Sequence, residues 1–289
     1  MSMMGELTYF LGLQVKQLKH GTFLSQSKYC FDLLKKFKME DCKEAATPIA
    51  TNCLMDVDEA GQQVDSTKYR GLIGSLLYLT TSRPNIQISV CLCARFQFNP
   101  KESHFKATKR ILKYLKATTN VGLWCSNESN IVLSGFSNFD YAGCKLDRKI
   151  TSGTCHLLGS SLISWNSKKQ TYVALCTAEA EYIAAGHACA QSIWLKHQLM
   201  DYDVKLEKIP LYCEHTSAIN LTKNPIQPSK TKHIEIKHFI RDHIRKGDIE
   251  IKFVKTENQL ADLFTKPLAR DRFNKLTTEL GILDMKNVC

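Results

Sequence analysis

Apolar and polar residues follow different periods in the two halves of the chain. In the first half, apolar residues recur every three or four positions, which is typical of helices. The predicted helices are Gln26–Met39, Lys68–Thr80, Pro84–Phe98 and Pro100–Lys116. An alternating pattern over Leu11–Gln17 and Thr22–Ser25, with Gly21 between them, predicts a hairpin before these helices. The first half is therefore predicted to be mostly helical.

The pattern changes after Thr118–Asn130, which we interpret as a boundary between domains. The predicted strands that follow are Ile131–Phe136, Gly153–Leu158, Leu162–Trp165, Thr171–Leu175, Ile209–Cys213 and Ile249–Val254. The predicted helices are Ala178–Leu199, Thr216–Thr222, His233–Lys246, a region that starts near Glu257 and stops at Pro267, and Asp271–Leu280. This order predicts a mixed α/β layer structure. We expect two domains, residues 1–125 and residues 126–289.

The composition narrows the class of protein. The chain has 289 residues, of which 44% are hydrophobic, so two domains can each bury a core. The sequence shows no membrane-spanning segment and no basic region followed by a long apolar core at its start, so we expect a protein of the cytoplasm or nucleus. The 12 cysteines contain no C-x-x-C pair, which favours reduced thiols over disulfides or a zinc site.

The net charge of +11 suits a polyanionic partner such as nucleic acid. In the helix predicted at Pro100–Lys116, four lysines follow spacings of three and four and form one basic stripe. They are Lys106, Lys109, Lys113 and Lys116. Two interpretations stay open, a helix that follows a phosphate backbone or an ordinary solvated helix face.

Acidic residues recur where the predicted strands and helices of the second half meet. The four segments are Ser137–Asp140, Thr177–Tyr182, Tyr212–Thr216 and Asn258–Asp262. Carboxylates that converge from separate elements are the ligands that Mg²⁺ requires, and two such ions can hydrolyse a phosphodiester. Each acid alone also fits a helix cap or a helix-dipole partner, which applies directly to Glu179 and Asp262.

Several long motifs in this order resemble the ribonuclease H region of copia-type LTR retrotransposon Pol polyproteins, of the kind common in plants. They are Gly143–Lys149, Ser164–Gln170, Thr177–Ala185 (TAEAEYIAA), Thr231–Ile236 (TKHIEI) and Thr256–Leu268 (TENQLADLFTKPL). The first half is similar to the end of the reverse transcriptase of the same polyproteins, at Gly5–Gly12, Tyr69–Pro84 and Asn99–Leu115. The resemblance covers nearly the whole chain.

The resemblance implies an α/β fold with a ribonuclease H-like mixed sheet and flanking helices, preceded by a mostly helical remnant of the reverse-transcriptase thumb and connection. It implies cleavage of the RNA strand of RNA–DNA hybrids with Mg²⁺ or Mn²⁺. The family's metal carboxylates would fall at Asn138, Glu181, Glu214 and Asp262. The paired aspartates of the polymerase would lie upstream of this sequence, so we expect no polymerase activity.

This chain departs from the family pattern at two of the four metal positions, because Asn138 and Glu214 stand where the family has aspartates. An amide oxygen carries no charge, and a glutamate adds one methylene. Asp140 is also acidic in the family pattern, but two residues along a strand place it about 6.6 Å away. The family's catalytic histidine has no counterpart, with Lys255 near its position, and the helix at Lys237 is one residue short.

We therefore expect weak or absent cleavage, and three functions stay open. The first is a divalent-metal ribonuclease, the second is a nucleic-acid-binding module without catalysis, and the third is an acquired protein-interaction role. The first two predict binding of RNA–DNA hybrid. In the context of the resemblance, we expect the contacts to nucleic acid to come from Lys106, Lys109, Lys113, Lys116, Lys230, Lys232, Lys237 and Arg241, with a further contribution from Arg245.

Overall fold

The structure of the chain is a computed structural model. It describes residues 5–51, 53, 55–127, 131–140, 150–170, 174, 176–223 and 236–288. The chain divides into two compact units, the first formed by Met1–Ser129 with Pro267–Cys289 and the second by Asn130–Lys266. No helix in the described ranges is both long and apolar enough to cross a membrane.

Strands and helices alternate along the chain in the following order. The elements are β1 (Tyr9–Phe10), β2 (Leu13–Leu18), β3 (Gly21–Ser25), α1 (Ser27–Lys36), α2 (Ser66–Leu79), α3 (Gln87–Ala94), α4 (Glu102–Ala117), β4 (Val121–Ser126), β5 (Leu133–Asp140), β6 (Thr151–Leu158), β7 (Ser161–Lys169), α5 (Thr177–Met200), β8 (Ile209–Cys213), α6 (Thr216–Lys223), α7 (Ile236–Lys246), β9 (Ile249–Phe253), α8 (Arg270–Glu279) and β10 (Ile282–Asp284). Four 3-10 helices add Pro84–Ile86, Thr256–Asn258, Leu260–Phe264 and Met285–Asn287.

The first unit contains an antiparallel sheet in the order β1-β2-β3-β4-β10, together with helices α1–α4 and α8. The predicted hairpin is confirmed as β2 and β3, which pair antiparallel from Gln14 opposite Ser25 to Leu18 opposite Gly21. Most apolar side chains on one face of each helix are buried, for example Leu72, Ile73 and Leu76 on α2. The hydrophobic period therefore located these helices correctly.

Two strands of the first unit are absent from the prediction. The stretch Thr118–Asn130, interpreted as a boundary, contains β4, and the C-terminal segment contains β10. These two strands pair antiparallel with each other, Ile282 opposite Leu123. The sequence grouped the C-terminal tail with the second domain, whereas the structure counts Pro267–Cys289 with the first unit. A three-residue strand has too little alternation to be recognised without its distant partner.

A buried arginine organises the polar part of the first unit. Arg83 is 1% exposed, and its Nη1 and Nη2 donate to the carbonyl and the hydroxyl of Thr118, both at 2.7 Å. Its Nε donates to Asn85 Oδ1 at 3.4 Å, and Asn85 Nδ2 donates to the Tyr114 hydroxyl at 2.7 Å. The guanidinium also lies over the Tyr114 ring. Each of the three guanidinium nitrogens therefore has a hydrogen-bond acceptor inside the protein.

The second unit contains a mixed sheet in the order β7-β6-β5-β8-β9. Strands β5, β6 and β7 pair antiparallel, while β8 pairs parallel with both β5 and β9. Helix α5 packs on β5, β6 and β8, and α7 packs on α5 and β9. Their buried side chains form one core, with Leu133, Ala188, Leu211, Ile240 and Ile251 among its members. The predicted fold class, a ribonuclease H-like mixed sheet with flanking helices, is confirmed.

Most second-unit elements agree with the prediction within one to three residues. The hairpin around Gly159 is confirmed as β6 and β7, and the glycine adopts a positive φ of 61° there. The region expected to be helical from Glu257 consists instead of two short 3-10 helices. Gln259 lies between them with an extended backbone, so a continuous α-helix cannot form. The predicted strand Thr171–Leu175 and the start of the His233–Lys246 helix lie outside the described residues.

Candidate active site

The four predicted metal positions come from four elements of the second unit. Asn138 lies on β5 and is 3% exposed, and Glu181 lies in the second turn of α5 and is completely buried. Glu214 directly follows β8 and is half-buried, while Asp262 lies in the 3-10 helix Leu260–Phe264 and is 2% exposed. Parallel pairing of β5 with β8 brings the ends of both strands to the same edge of the sheet.

Asn138 and Asp262 are in direct contact although 124 residues separate them. The Asn138 Nδ2 donates to Asp262 Oδ1 at 2.6 Å, while the Asn138 Oδ1 accepts the backbone N–H of Phe139 at 2.8 Å. The amide therefore turns a donor toward Asp262 and uses its oxygen on the backbone. An aspartate at this position could not donate such a hydrogen bond.

Glu181 is the most strongly perturbed acid of the cluster. Burial raises the pKa of its carboxyl to about 8; the hydrogen bond from the Glu214 backbone opposes this shift, and the charges of Glu214 and Asp262 add to it. The Oε1 accepts the N–H of Glu214 at 3.3 Å. The Oε2 is buried and accepts no hydrogen bond from the part of the chain that the structure describes. Three carboxylates thus lie close enough to influence one another.

Lys266 adds a cation to this group of acids. Its Nζ lies 2.9 Å from Asp262 Oδ1, the same oxygen that accepts the Asn138 amide. The lysine side chain is 36% exposed, whereas the Asp262 side chain is 3% exposed. Sequence reasoning quoted Lys266 within the motif Thr256–Leu268 but gave it no role. Its spacing of four residues from Asp262 was the available signal.

The 3-10 helix that carries Asp262 is held against the sheet by close backbone contacts. Gln259 is buried, and its Nε2 donates to the carbonyl of Ser137 on β5 at 3.0 Å. Its Oε1 accepts the N–H of Ala261 at 3.2 Å, which caps this helix. A Cβ at Gly153 on β6 would lie 2.9 Å from the Ala261 carbonyl oxygen. Sequence reasoning gave neither Gln259 nor Gly153 a role, since their importance depends on tertiary contacts.

Two further acids were considered from the sequence. Asp140 is the last residue of β5 and is half-buried, two positions beyond Asn138. Glu179 lies in the first turn of α5, where a carboxylate favours the helix dipole, and it is also half-buried. The charges that raise the pKa of Glu181 belong to Glu214 and Asp262. The structure therefore separates Glu181, in the cluster, from Glu179, near the helix start.

The basic residues predicted to bind nucleic acid differ in their surroundings. Lys106 is exposed, while Lys109 and Lys113 are half-buried and the Lys109 Nζ lies 4.3 Å from the centre of the Phe105 ring. The Lys116 Nζ donates to the carbonyl of Cys42 at 2.7 Å, which is an internal structural contact. Only part of the lysine stripe is therefore presented to solvent.

The other predicted contacts lie in the second unit. Arg241 on α7 is half-buried, and its charge acts on the hydroxyl of Tyr182 on α5 by lowering a pKa that burial raises. Lys230 and Lys232 lie outside the described residues, and so does the side chain of Lys237. Their role in binding stays a prediction.

The donor set can be compared with the needs of a divalent cation. Within the described residues, no group of three or more His, Cys, Asp and Glu side chains is arranged to hold a metal ion. The donor chemistry nevertheless fits, because three carboxylates influence one another and the buried Glu181 Oε2 has no hydrogen-bond donor in the described part of the chain. Asp262 would have to exchange its contacts with Asn138 and Lys266 for a metal ion.

Comparison with known proteins identifies relatives over nearly the whole chain. The "Retrovirus-related Pol polyprotein from transposon RE1" of Arabidopsis thaliana is 37% identical over 279 residues, covering 96% of this chain and 19% of the relative. The corresponding polyprotein from transposon RE2 of the same plant is 35% identical over 286 residues, covering 98% of this chain and 20% of the relative. The chain thus spans 19–20% of the length of these curated relatives.

Solved structures and family models give a more limited comparison. The N-terminal ribonuclease H domain of rv2228c from Mycobacterium tuberculosis, solved as a fusion with maltose-binding protein, is 8% identical to this chain, with a TM-score of 0.37. The match covers 51% of this chain and 97% of that chain. No protein-family model matches the chain.

Proposed function

Because the chain belongs to the family of retrovirus-related Pol polyproteins of transposons, we propose that its second unit acts on the RNA strand of RNA–DNA hybrids with impaired hydrolysis. The convergence of Glu181, Glu214 and Asp262 beside Asn138 carries this proposal. The first unit would be the end of a copia-type reverse transcriptase without polymerase activity, and the protein would work in the cytoplasm or nucleus.

Each residue of the cluster has a distinct part in the proposed reaction. Glu181, Glu214 and Asp262 would hold Mg²⁺ or Mn²⁺ through carboxylate oxygens, which are the ligands that these hard cations prefer. A pair of such ions, when bound, supplies an activated water and stabilises the leaving oxygen of a phosphodiester. Gln259 positions Asp262 by fixing its 3-10 helix to β5. The rigid support matters because catalytic groups must be held to about 0.5 Å.

Asn138 is the proposed cause of the impairment. It contributes no negative charge, and its Nδ2 donates to the oxygen of Asp262 that a cation would need. Glu214 adds a methylene at a second position of the family pattern, and Asp140 could replace Asn138 only after a rearrangement of β5. Loss of a single group that stabilises the transition state typically reduces turnover by about 10²–10³-fold.

A second candidate function is binding of RNA–DNA hybrid without hydrolysis. It is favoured by the contacts of Asp262 Oδ1, which accepts the Asn138 amide at 2.6 Å and lies 2.9 Å from the Lys266 ammonium. The exposed Lys106 would then contribute to binding the phosphate backbone. The net charge of +11 is compatible with both candidates.

Cleavage of a labelled RNA–DNA hybrid tests the proposal. The full chain would be assayed with Mg²⁺ and then Mn²⁺, beside Asn138→Asp, Asp262→Ala and the double variant. Asn138→Asp should cut at least about 10²-fold faster than the parent chain, and Asp262→Ala should abolish cutting in both backgrounds. Asn166→Asp is the matched control, because Asn166 is exposed on β7 and adds the same charge outside the cluster.

The outcomes separate the two candidates. If the parent chain cuts fully and Asp262→Ala abolishes it, the domain is a ribonuclease that tolerates Asn138, and the proposed impairment is wrong. If only Asn138→Asp cuts, the impairment is due to that one residue. If no variant cuts while all of them bind the hybrid in a salt-dependent manner, the second candidate replaces the first.

A further inference from the structure

Lys266 and Asn138 share one acceptor, and this arrangement is unusual for a metal ligand. Asp262 Oδ1 accepts the Asn138 Nδ2 at 2.6 Å and lies 2.9 Å from the Lys266 Nζ. The Asp262 side chain is 3% exposed, so both contacts occur away from bulk water. A charge-assisted contact in such surroundings is stronger than one at the surface. Asp262 is therefore held by one neutral and one charged donor.

The local chain path fixes Lys266 in this position. The backbone N–H of Thr265 donates to the carbonyl of Asp262 at 3.2 Å, and the Thr265 hydroxyl donates to the same carbonyl at 3.2 Å. This turn brings residue 266 back over Asp262, while Thr265 itself is buried. The contact thus follows from the local backbone and does not need a second element to deliver the cation.

Electrostatic balance gives the lysine a purpose. Glu181 and Glu214 lie close enough to Asp262 for their charges to interact, and mutual repulsion of buried carboxylates destabilises a fold. An ammonium on one of these carboxylates offsets part of the repulsion. A divalent ion bound to the same carboxylates would provide the same compensation and would need the same oxygen.

We propose that the Lys266 ammonium is a tethered counter-cation of the carboxylate cluster, and that it competes with a divalent metal ion for Asp262. The stabilising part of this role stands on the contacts of Lys266 alone. The competing part rests on the proposed metal-binding function. Lys266 thereby keeps the cluster folded without metal and weakens the binding of metal.

Thermal unfolding of the full chain tests both parts. Lys266→Gln, Lys266→Arg and Lys252→Gln would be measured in EDTA and in a titration with Mn²⁺. Lys252 is the matched control, because its pair with Glu250 joins two side chains that are both more than 40% exposed. In EDTA, Lys266→Gln should lower Tm by about 3 °C or more, whereas Lys252→Gln should change it by less than about 1 °C. Lys266→Arg should retain the parent Tm.

The titration measures the competition. The Mn²⁺ concentration for a half-maximal rise in Tm should be about tenfold lower in Lys266→Gln than in the parent chain, because a cation next to the site has been removed. In an Asp262→Asn background, Lys266→Gln should have no effect on Tm in EDTA, and the Mn²⁺ response should vanish. Asn138→Asp serves as the variant in which metal binding is expected to be strongest.

Each result supports or overturns one part. If Lys266→Gln and Lys252→Gln lose the same Tm in EDTA, Lys266 is not a counter-cation. If Asn138→Asp responds to Mn²⁺ but Lys266→Gln responds like the parent chain, there is no competition, and the proposed metal site still stands. If neither Asn138→Asp nor its combination with Lys266→Gln responds to Mn²⁺, both the metal site and the competition are wrong, and the measurements in EDTA alone decide the stabilising part.

Discussion

The first unit buries a cation and the second unit buries a group of acids, and the two centres differ in how their polar atoms are satisfied. Around Arg83, each guanidinium nitrogen has an acceptor, and its neighbour Asn85 donates to Tyr114. Around Glu181, carboxylates raise the pKa of one another, and the buried Oε2 accepts no hydrogen bond within the described residues. Both centres are nearly inaccessible to solvent.

The difference indicates what each centre is for. A buried polar group whose hydrogen bonds are all made contributes to stability and to a unique fold. A buried acid that is crowded by like charges costs stability, and such groups are retained where a function requires them. Burial alone therefore does not identify a functional site; the partners of each buried atom do.

The largest effect should follow from removing the buried cation. Arg83→Met leaves the Thr118 carbonyl and the Asn85 Oδ1 without their donors, so the free energy of unfolding should fall by about 3–5 kcal/mol. Urea unfolding measures this loss, and hydrogen exchange of α4 would locate it. Arg70→Met is the control, because exposed Arg70 donates one hydrogen bond to Gln97 and should change stability by less than about 1 kcal/mol. Equal losses in both variants would remove the contrast.

The opposite sign is expected at the second centre. Glu181→Gln keeps an acceptor for the N–H of Glu214 but removes one buried charge, so stability in EDTA should rise by about 1–2 kcal/mol at pH 8. The folded-state pKa of Glu181 is raised from 4.5 to about 8, so its ionisation penalises folding progressively as pH rises above 4.5. The gain should therefore shrink toward pH 5.

Unfolding of Glu181→Gln across this pH range would be compared with Glu179→Gln. Glu179 lies in the first turn of the same helix, where its charge favours the helix dipole. Its replacement should leave stability unchanged or reduce it slightly. A loss of stability in Glu181→Gln at pH 8 would mean that the cluster is structural, like the centre around Arg83.

The two regions also differ in how far the sequence could predict them. The period of apolar residues located α2, α4, α5 and β8 because each buries one face against a core within its own unit. It could not locate β4 and β10, because their pairing joins residues more than 150 positions apart. Gln259 interrupts the region expected to be helical, since its side chain caps the following 3-10 helix and binds β5.

For the candidate site, the motif resemblance supplied Asn138, Glu181, Glu214 and Asp262, and the structure brings Asn138 into contact with Asp262. Sequence reasoning gave no role to Lys266, because a lysine four residues from an acid is common on exposed helices. Its significance depends on the burial of Asp262, which only the tertiary structure provides. The same limit applies to Arg83, which reads as an ordinary basic residue before Pro84.

The smallest effect extends the comparison to the lysines of α4. Lys106 is exposed, whereas the Lys116 Nζ donates to the Cys42 carbonyl at 2.7 Å. If Lys106 contacts a phosphate, Lys106→Gln should reduce the slope of log affinity for RNA–DNA hybrid against log salt by about 0.9 and leave stability unchanged. Lys116→Gln should keep that slope and lose about 1 kcal/mol of stability, because its ammonium is used inside the protein. Fluorescence anisotropy at several salt concentrations and urea unfolding measure the two quantities. An unchanged slope in Lys106→Gln would return the stripe to an ordinary solvated helix face.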